Sequence, residues 1–264
     1  MSDYLTDIGV NLTSSRFDKD RQQVIENARR ENVGPLLVTG TNVKESEAAL
    51  ALCKQYEQLY CTAGVHPHDA DNVNCDYIEQ LRAFASHHYV KAIGECGLDF
   101  NRNFSTVENQ QQVFAEQLQL ADELKMPVFL HQRDAFNHWK DILQQQFGSQ
   151  IYGVSHCFTG NLSELKCCLD MGLFIGITGW ICDERRGQEL YDIAKYIPLD
   201  RILIETDAPY LTPRNIRPRP KSSRNEPKFL PYVASTLAQA MNIEQKQLII
   251  HSSDNAKQLF GFAD

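Results

Sequence analysis

The chain lacks the marks of several protein classes. Its eight cysteines, at positions 53, 61, 75, 96, 157, 167, 168 and 182, include no CxxC pair, which argues against a zinc ribbon. No apolar run reaches the roughly 18 residues of a membrane span. Residues 1–20 show no basic start followed by an apolar stretch, the pattern of a secretory leader. No low-complexity segment or internal repeat is seen. Positive charge is short: 26 Lys and Arg stand against 34 Asp and Glu, a net charge of −8. Such a balance argues against a protein that coats nucleic acid without selectivity, although a local basic site stays open. These absences predict a cytoplasmic protein with no membrane contact, its thiols reduced and serving mostly as small core hydrophobes.

What is present is a chain of 264 residues, 42% hydrophobic and 23% charged. A core of that size needs neither disulfide nor structural metal. The length allows one or two domains, or one closed α/β barrel. Short apolar runs at Leu5–Val10, Pro35–Thr39, Leu59–Val65, Val90–Ile93, Pro127–Leu130, Ile151–Ser155, Leu173–Ile177 and Arg201–Ile204 read as eight buried parallel strands. Helical periodicity lies between and after them. It is clearest over Glu108–Lys125, where Val113, Phe114, Leu118, Ala121 and Leu124 form a stripe. Further helices are predicted over Phe17–Glu31, Val43–Glu57, Asp76–His87, Ala135–Gln145, Ser163–Met171, Leu230–Met241 and Ser253–Phe260. The alternation predicts a parallel sheet with crossover helices. Eight units favour a single (β/α)8 TIM-type barrel, residues 1–264, with Pro209–Pro231 as a long loop after the eighth strand.

Polar residues follow the apolar runs, and in such a barrel the strand C-terminal ends form the active-site face. His66 and His68 follow the third strand, Glu95 and Asp99 the fourth, His131 and Arg133 the fifth, His156 the sixth; Glu205 and Asp207 follow the eighth. Nitrogen and oxygen ligands converging from several strands suit a divalent cation such as Zn²⁺, Mn²⁺ or Mg²⁺. Such an ion acidifies water and polarises a phosphoryl or carbonyl oxygen, and a carboxylate outside the ligand set can take the proton. A lone strand-end histidine is more often structural; four together with acids favour a metal site. His87, His88, His138 and His251 read as surface or capping residues. Cys157, adjacent to His156, points to the opposite strand face and reads as no nucleophile. The glycines of Gly94–Gly97 read as a sharp backbone turn rather than a phosphate loop.

The segment from Arg214 to Lys228 holds Arg214, Arg217, Arg219, Lys221, Arg224 and Lys228, opposed locally by Glu226 alone. Prolines 213, 218, 220 and 227 favour an extended backbone. Guanidinium groups pair well with phosphate oxygens. The alternative is a solvated loop that offsets the acidic surface.

GVHPH at 64–68, IGECGLDF at 93–100, FLHQRDA at 129–135, SHCFTG at 155–160, ETDAPYL at 205–211 and NAKQLFG at 255–261 together resemble the TatD family of metal-dependent deoxyribonucleases, within the amidohydrolase-like barrels. The resemblance runs from Asp7 to Phe260. It implies phosphodiester hydrolysis of DNA, and in some members RNA, often 3′→5′. It implies metal ligation by Glu95, His131 and His156. Asp207 becomes a ligand, the general base, or both, and His66 a contact to substrate or leaving group. Mg²⁺ is the implied activator, with Zn²⁺ or Mn²⁺ as alternatives. Arg133, Arg214, Arg217 and Arg219 are the expected phosphate contacts. One departure stands out. Where many members carry an HxH pair on strand one, this chain has Gly9 and Asn11, as does one branch of the family. Gly9 has no ligating side chain, so one firm metal site and a weaker second are expected. The reading is of a monomer with no obligate protein partner. Two other readings stay open: a metal-dependent amidohydrolase or esterase acting on a small molecule, for which the basic loop has no use, and a non-catalytic scaffold, which has no need of the strand-end ligands.

Overall fold

The computed structural model describes residues 4–262; the outermost residues of the expected 1–264 domain lie outside them. Its eight strands are β1 (Leu5–Val10), β2 (Val33–Val38), β3 (Leu59–Ala63), β4 (Val90–Asp99), β5 (Val128–Arg133), β6 (Gly153–Ser155), β7 (Phe174–Ile177) and β8 (Ile202–Ile204). They form one sheet in chain order. The helices are α1 (Arg21–Arg30), α2 (Val43–Cys53), α3 (Tyr77–Ala85), α4 (Val107–Leu124), α5 (Phe136–Phe147), α6 (Leu162–Asp170), α7 (Gln188–Ile193), α8 (Leu230–Met241) and α9 (Gln245–Phe260). Chain-order parallel strands alternating with helices are the (β/α)8 arrangement of a TIM-type barrel.

Two compact units divide the chain. One comprises Thr39–His156 and Asp170–Leu173. In it β3–β4, β4–β5 and β5–β6 pair in parallel. The long α4 starts at Thr106, whose hydroxyl accepts from the Asn109 N–H at 3.3 Å, a capping contact that satisfies an otherwise unpaired donor. Its buried stripe includes Val113, Phe114, Leu118 and Ala121. Two buried glutamines interrupt that stripe. Gln117 bonds both the N–H and the carbonyl of Val65, at 2.7 and 3.0 Å. Gln110 accepts from the Asp99 N–H at 2.9 Å and donates to the Ser105 carbonyl at 3.0 Å. The helix thereby anchors backbone beside the polar cluster through polar as well as apolar contacts.

The other unit contains β1, β2, β7 and β8. β1 pairs with β2, and β7 with β8. Just past β8, Ala208 bridges Val10 of β1 in parallel, and the Asn11 N–H donates to the Ala208 carbonyl at 2.7 Å. The segment just past the last strand thus lies beside the first.

The structure corrects several boundaries. β4 continues six residues beyond the expected Val90–Ile93, and β5 three beyond Leu130. Glu95, Asp99, His131 and Arg133 therefore lie within strands rather than after them. The sharp turn expected at Gly94–Gly97 is absent; these glycines sit inside β4 with φ of +136° and +149°. A Cβ on Gly94 would run into the Phe129 carbonyl, and one on Gly97 into that of His131. Glycine here allows two backbones to approach closely. α7 carries no expected counterpart, and α9 begins eight residues before the expected Ser253. Of the cysteines, 53, 61, 96, 168 and 182 are buried, and none of the eight forms a disulfide.

Candidate metal centre and basic loop

In the first unit, four side chains from β3, β4, β5 and β6 or the residues just beyond them converge on one oxygen. Glu95 Oε1 lies 2.8 Å from His156 Nε2, 3.0 Å from His131 Nδ1 and 3.3 Å from His66 Nε2. Glu95 and His156 are buried. His66 accepts the His68 N–H at Nδ1, 3.1 Å away, which leaves Nε2 turned to Glu95. Asp99 forms a second layer: its Oδ2 takes His68 Nε2 at 2.7 Å and faces His131 Nε2 at 3.5 Å.

Burial by itself would raise the Glu95 pKa, yet the adjoining His156 and His66, with hydrogen bonds from His131 and His156, hold it well below the usual carboxylate range. Asp99 is likewise held below its ordinary value, against its own burial, by bonds from His131 and His68. Burial pushes His66 down to about 4, although Glu95 opposes it. For His131 burial also acts downward, but the Asp99 and Glu95 carboxylates raise it overall.

His66, Glu95 and His131 offer ligand atoms all within 4.8 Å of one another. His131 Nε2 is buried and meets only Asp99 Oδ2, at the long distance of 3.5 Å, so its bonding capacity is poorly used. Imidazole nitrogens around a carboxylate form a donor set that suits a divalent cation. The residues present fit such an ion.

Asp207 belongs to the other unit. Its N–H donates to the Gly9 carbonyl at 2.8 Å, and its Oδ1 accepts from Asn11 Nδ2 at 2.9 Å. The backbone at Asp207 is left-handed, φ +54°, a conformation that aspartate tolerates better than most residues. Asn11 thus orients the carboxylate of Asp207. Beside it, buried Asp7 accepts from the Thr206 N–H at 2.9 Å and the Thr206 hydroxyl at 2.6 Å. Burial, partly offset by these bonds, pushes its pKa up to about 7. Buried Glu205 accepts from the Cys157 N–H at 2.5 Å, and the Cys157 thiol lies 3.7 Å from the Thr178 hydroxyl. Asp7 was missed at the sequence level because an acid inside an apolar strand gives no local sign of its partner.

The basic loop is more neutralised than its sequence suggests. The fold brings Asp20, Asp183 and Glu184 to it in addition to Glu226. Arg224 bonds Asp20 at 2.7 Å and Glu226 at 2.9 Å, and Lys228 pairs with Glu226 at 2.8 Å. Arg214 pairs with Glu184 at 2.9 Å. Arg217 donates to the Arg214 and Ile216 carbonyls. Among the described residues Arg219 and Lys221 make no ion pair. Arg214 and Arg219 join Trp180, Asp183, Arg185 and Arg186 around a cavity of about 380 Å³. Arg133 ends β5 and is partly exposed.

The chain matches the model of the TatD related DNase family over residues 6–261. It is 52% identical over 259 residues to the 3′-5′ ssDNA/RNA exonuclease TatD of Pectobacterium parmentieri (strain WPP163), covering 97% of this chain and 99% of that protein. Among solved structures it is similar to a TatD homologue from Escherichia coli K12, with a TM-score of 0.88, 27% identity and 100% of each chain covered. A hydrolase of the TatD family from Entamoeba histolytica shares the fold, with a TM-score of 0.90 at 24% identity over 98% of this chain and 99% of that one. The chain belongs to the TatD related DNase family.

Proposed function

We propose that this protein is a metal-dependent nuclease that removes nucleotides from the 3′ end of single-stranded DNA and RNA. The observation that carries the reading is the convergence of three imidazoles on one oxygen of Glu95, in a chain half identical to curated exonucleases along nearly its full length.

Glu95, His131 and His156 would hold a divalent ion, Mg²⁺ in preference to Zn²⁺ or Mn²⁺. When bound, that ion supplies Lewis acidity toward a phosphoryl oxygen and lowers the pKa of water. Asp207, steadied by Asn11, would serve as a further ligand, as the acceptor of the water's proton, or as both. His66, kept neutral by burial, offers its Nε2 proton to the substrate or leaving oxygen. Arg133, Arg214, Arg217 and Arg219 grip phosphate oxygens. Gly9 and Asn11 leave strand one without an imidazole, so one firm ion site and a weaker second follow. In this reading residues 1–264 work as one barrel, a monomer of the cytoplasm that serves nucleic-acid turnover and DNA repair.

A time course on end-labelled single-stranded DNA and RNA with Mg²⁺, Mn²⁺ or EDTA tests it. Stepwise shortening from the 3′ end with a divalent ion, and none with EDTA, is expected. Salt-insensitive turnover of a small amide or ester with no shortening of either strand would replace this reading with that of an amidohydrolase.

A further inference from the structure

Five large hydrophobic side chains stand exposed among the described residues; four are tyrosines at 50–54%, and the fifth is Phe104 at 64%. A tyrosine keeps a polar hydroxyl in water, whereas Phe104 has no such tip. Folding offers no reason to display it.

Its surroundings do. The Phe104 ring packs edge-on against His68, with centroids 4.8 Å apart. His68 in turn packs against His66 at 4.3 Å, and His66 against His131 at 4.4 Å. A continuous series of rings leads from solvent to the Glu95 cluster. The Arg102 guanidinium lies 6.0 Å from the Phe104 ring centroid, so a cation stands beside the apolar face.

The loop is also pinned on both sides. Asp99 Oδ1 accepts from the N–H groups of Asn101 and Arg102, both at 3.0 Å, while Oδ2 of the same carboxylate holds His68. Asn103 Nδ2 donates to the Phe100 carbonyl at 2.9 Å. Beyond Phe104, the buried Ser105 hydroxyl donates to the His68 carbonyl at 2.9 Å and accepts from the Asp71 N–H at 3.1 Å. Five hydrogen bonds therefore hold a solvent-facing phenyl ring in register with the imidazoles. A ring fixed before a ligand arrives loses little entropy on binding. A rigid exposed aromatic with a neighbouring guanidinium is the chemistry that receives a nucleobase on its face and a phosphate at its side.

We propose that Phe104, backed by His68 and flanked by Arg102, is the stacking platform for the nucleobase of the nucleotide being removed. The inference rests on the nuclease reading and adds to it a base subsite that tolerates any sequence, because every base presents a π-face.

The test compares a single-stranded oligonucleotide with the same strand ending in a 3′ abasic tetrahydrofuran residue, assayed on the full chain with Mg²⁺. Stacking contributes about 1–3 kcal/mol per base, so the wild type should prefer the intact end by about ten-fold in kcat/KM. Phe104→Ala should erase the preference through a higher KM on the intact strand, Phe104→Trp should restore it, and the exposed Tyr196→Ala should keep it. A 3′-terminal 2-aminopurine should be quenched on binding in EDTA by the wild type and not by Phe104→Ala. A wild type that shortens both strands equally, or a Phe104→Ala protein that discriminates like the wild type, overturns the platform while leaving the nuclease reading in place. A wild type that shortens neither strand overturns the nuclease reading and the platform with it.

Discussion

Glu95 and Asp7 are both buried carboxylates on strands, and their proton affinities move in opposite directions. Around Asp7 the partners are neutral dipoles, the N–H and hydroxyl of Thr206 and the N–H of Gly9. Dipoles offset only part of the desolvation, so the pKa climbs to about 7. Around Glu95 the partners are imidazoles, which can carry charge, and the pKa falls well below the usual range although burial acts against this. The neighbours, rather than burial, separate a carboxylate that ties β8 to β1 from one suited to hold a cation.

The comparison is broken most directly at Glu95. Glu95→Ala removes the oxygen on which three imidazoles converge, and nucleolysis should fall by on the order of 10³-fold or more. Asp207→Asn should have a similar effect on rate. Circular dichroism should show both folds intact, and elemental analysis should show less bound metal in Glu95→Ala. Full activity in either variant sinks its assigned role.

Asp7 sharpens the other side. Between the usual carboxylate value of 3.8 and about 7, the native state holds a proton that the unfolded chain releases. The raised value therefore contributes stability that is fully present below pH 3.8 and lost by about pH 7. The loss is on the order of 4 kcal/mol. In the metal-free protein, Asp7→Asn should remove that part of the slope. Urea titrations of both proteins across the window read the difference; parallel curves would mean that Asp7 ionises normally.

Smaller effects separate the arginines of the basic loop. Arg219→Ala should reduce the salt slope of strand binding by about one ion and weaken binding a few-fold. Arg224 is held by Asp20 and Glu226, so Arg224→Ala should leave that slope alone and lower thermal stability by about 1 kcal/mol or less. Fluorescence anisotropy over a range of salt, beside thermal melts, distinguishes the two.

Much of the fold was legible because buried parallel strands are continuous apolar runs; β1 matches its expected bounds at both ends. β4 and β5 were cut short for the same reason. Their apolar runs stop where Glu95 and His131 begin, although the backbone pairing continues to Asp99 and Arg133. Six-residue α7 offers too few turns for periodicity to show. At the candidate site, Glu95, His66, His131 and His156 were legible as polar residues at strand ends, and the structure brings their side chains together. Asp7, Gln110, Gln117 and Phe104 were not, because each lies in a segment whose pattern explains it without a site. The basic loop was legible as charge but not as partners.

The sequence by itself determined the order of the eight strands and pointed to polar residues at their ends, since apolar runs and short motifs are local properties of the chain. Only the tertiary structure decided which oxygen those residues share, which carboxylate keeps its proton and which arginines are already paired. Glu95 and His156 are 61 residues apart and Asp20 and Arg224 are 204 apart. Electrostatic energies depend on separation in space and on exclusion of water, and both are set only when the chain folds.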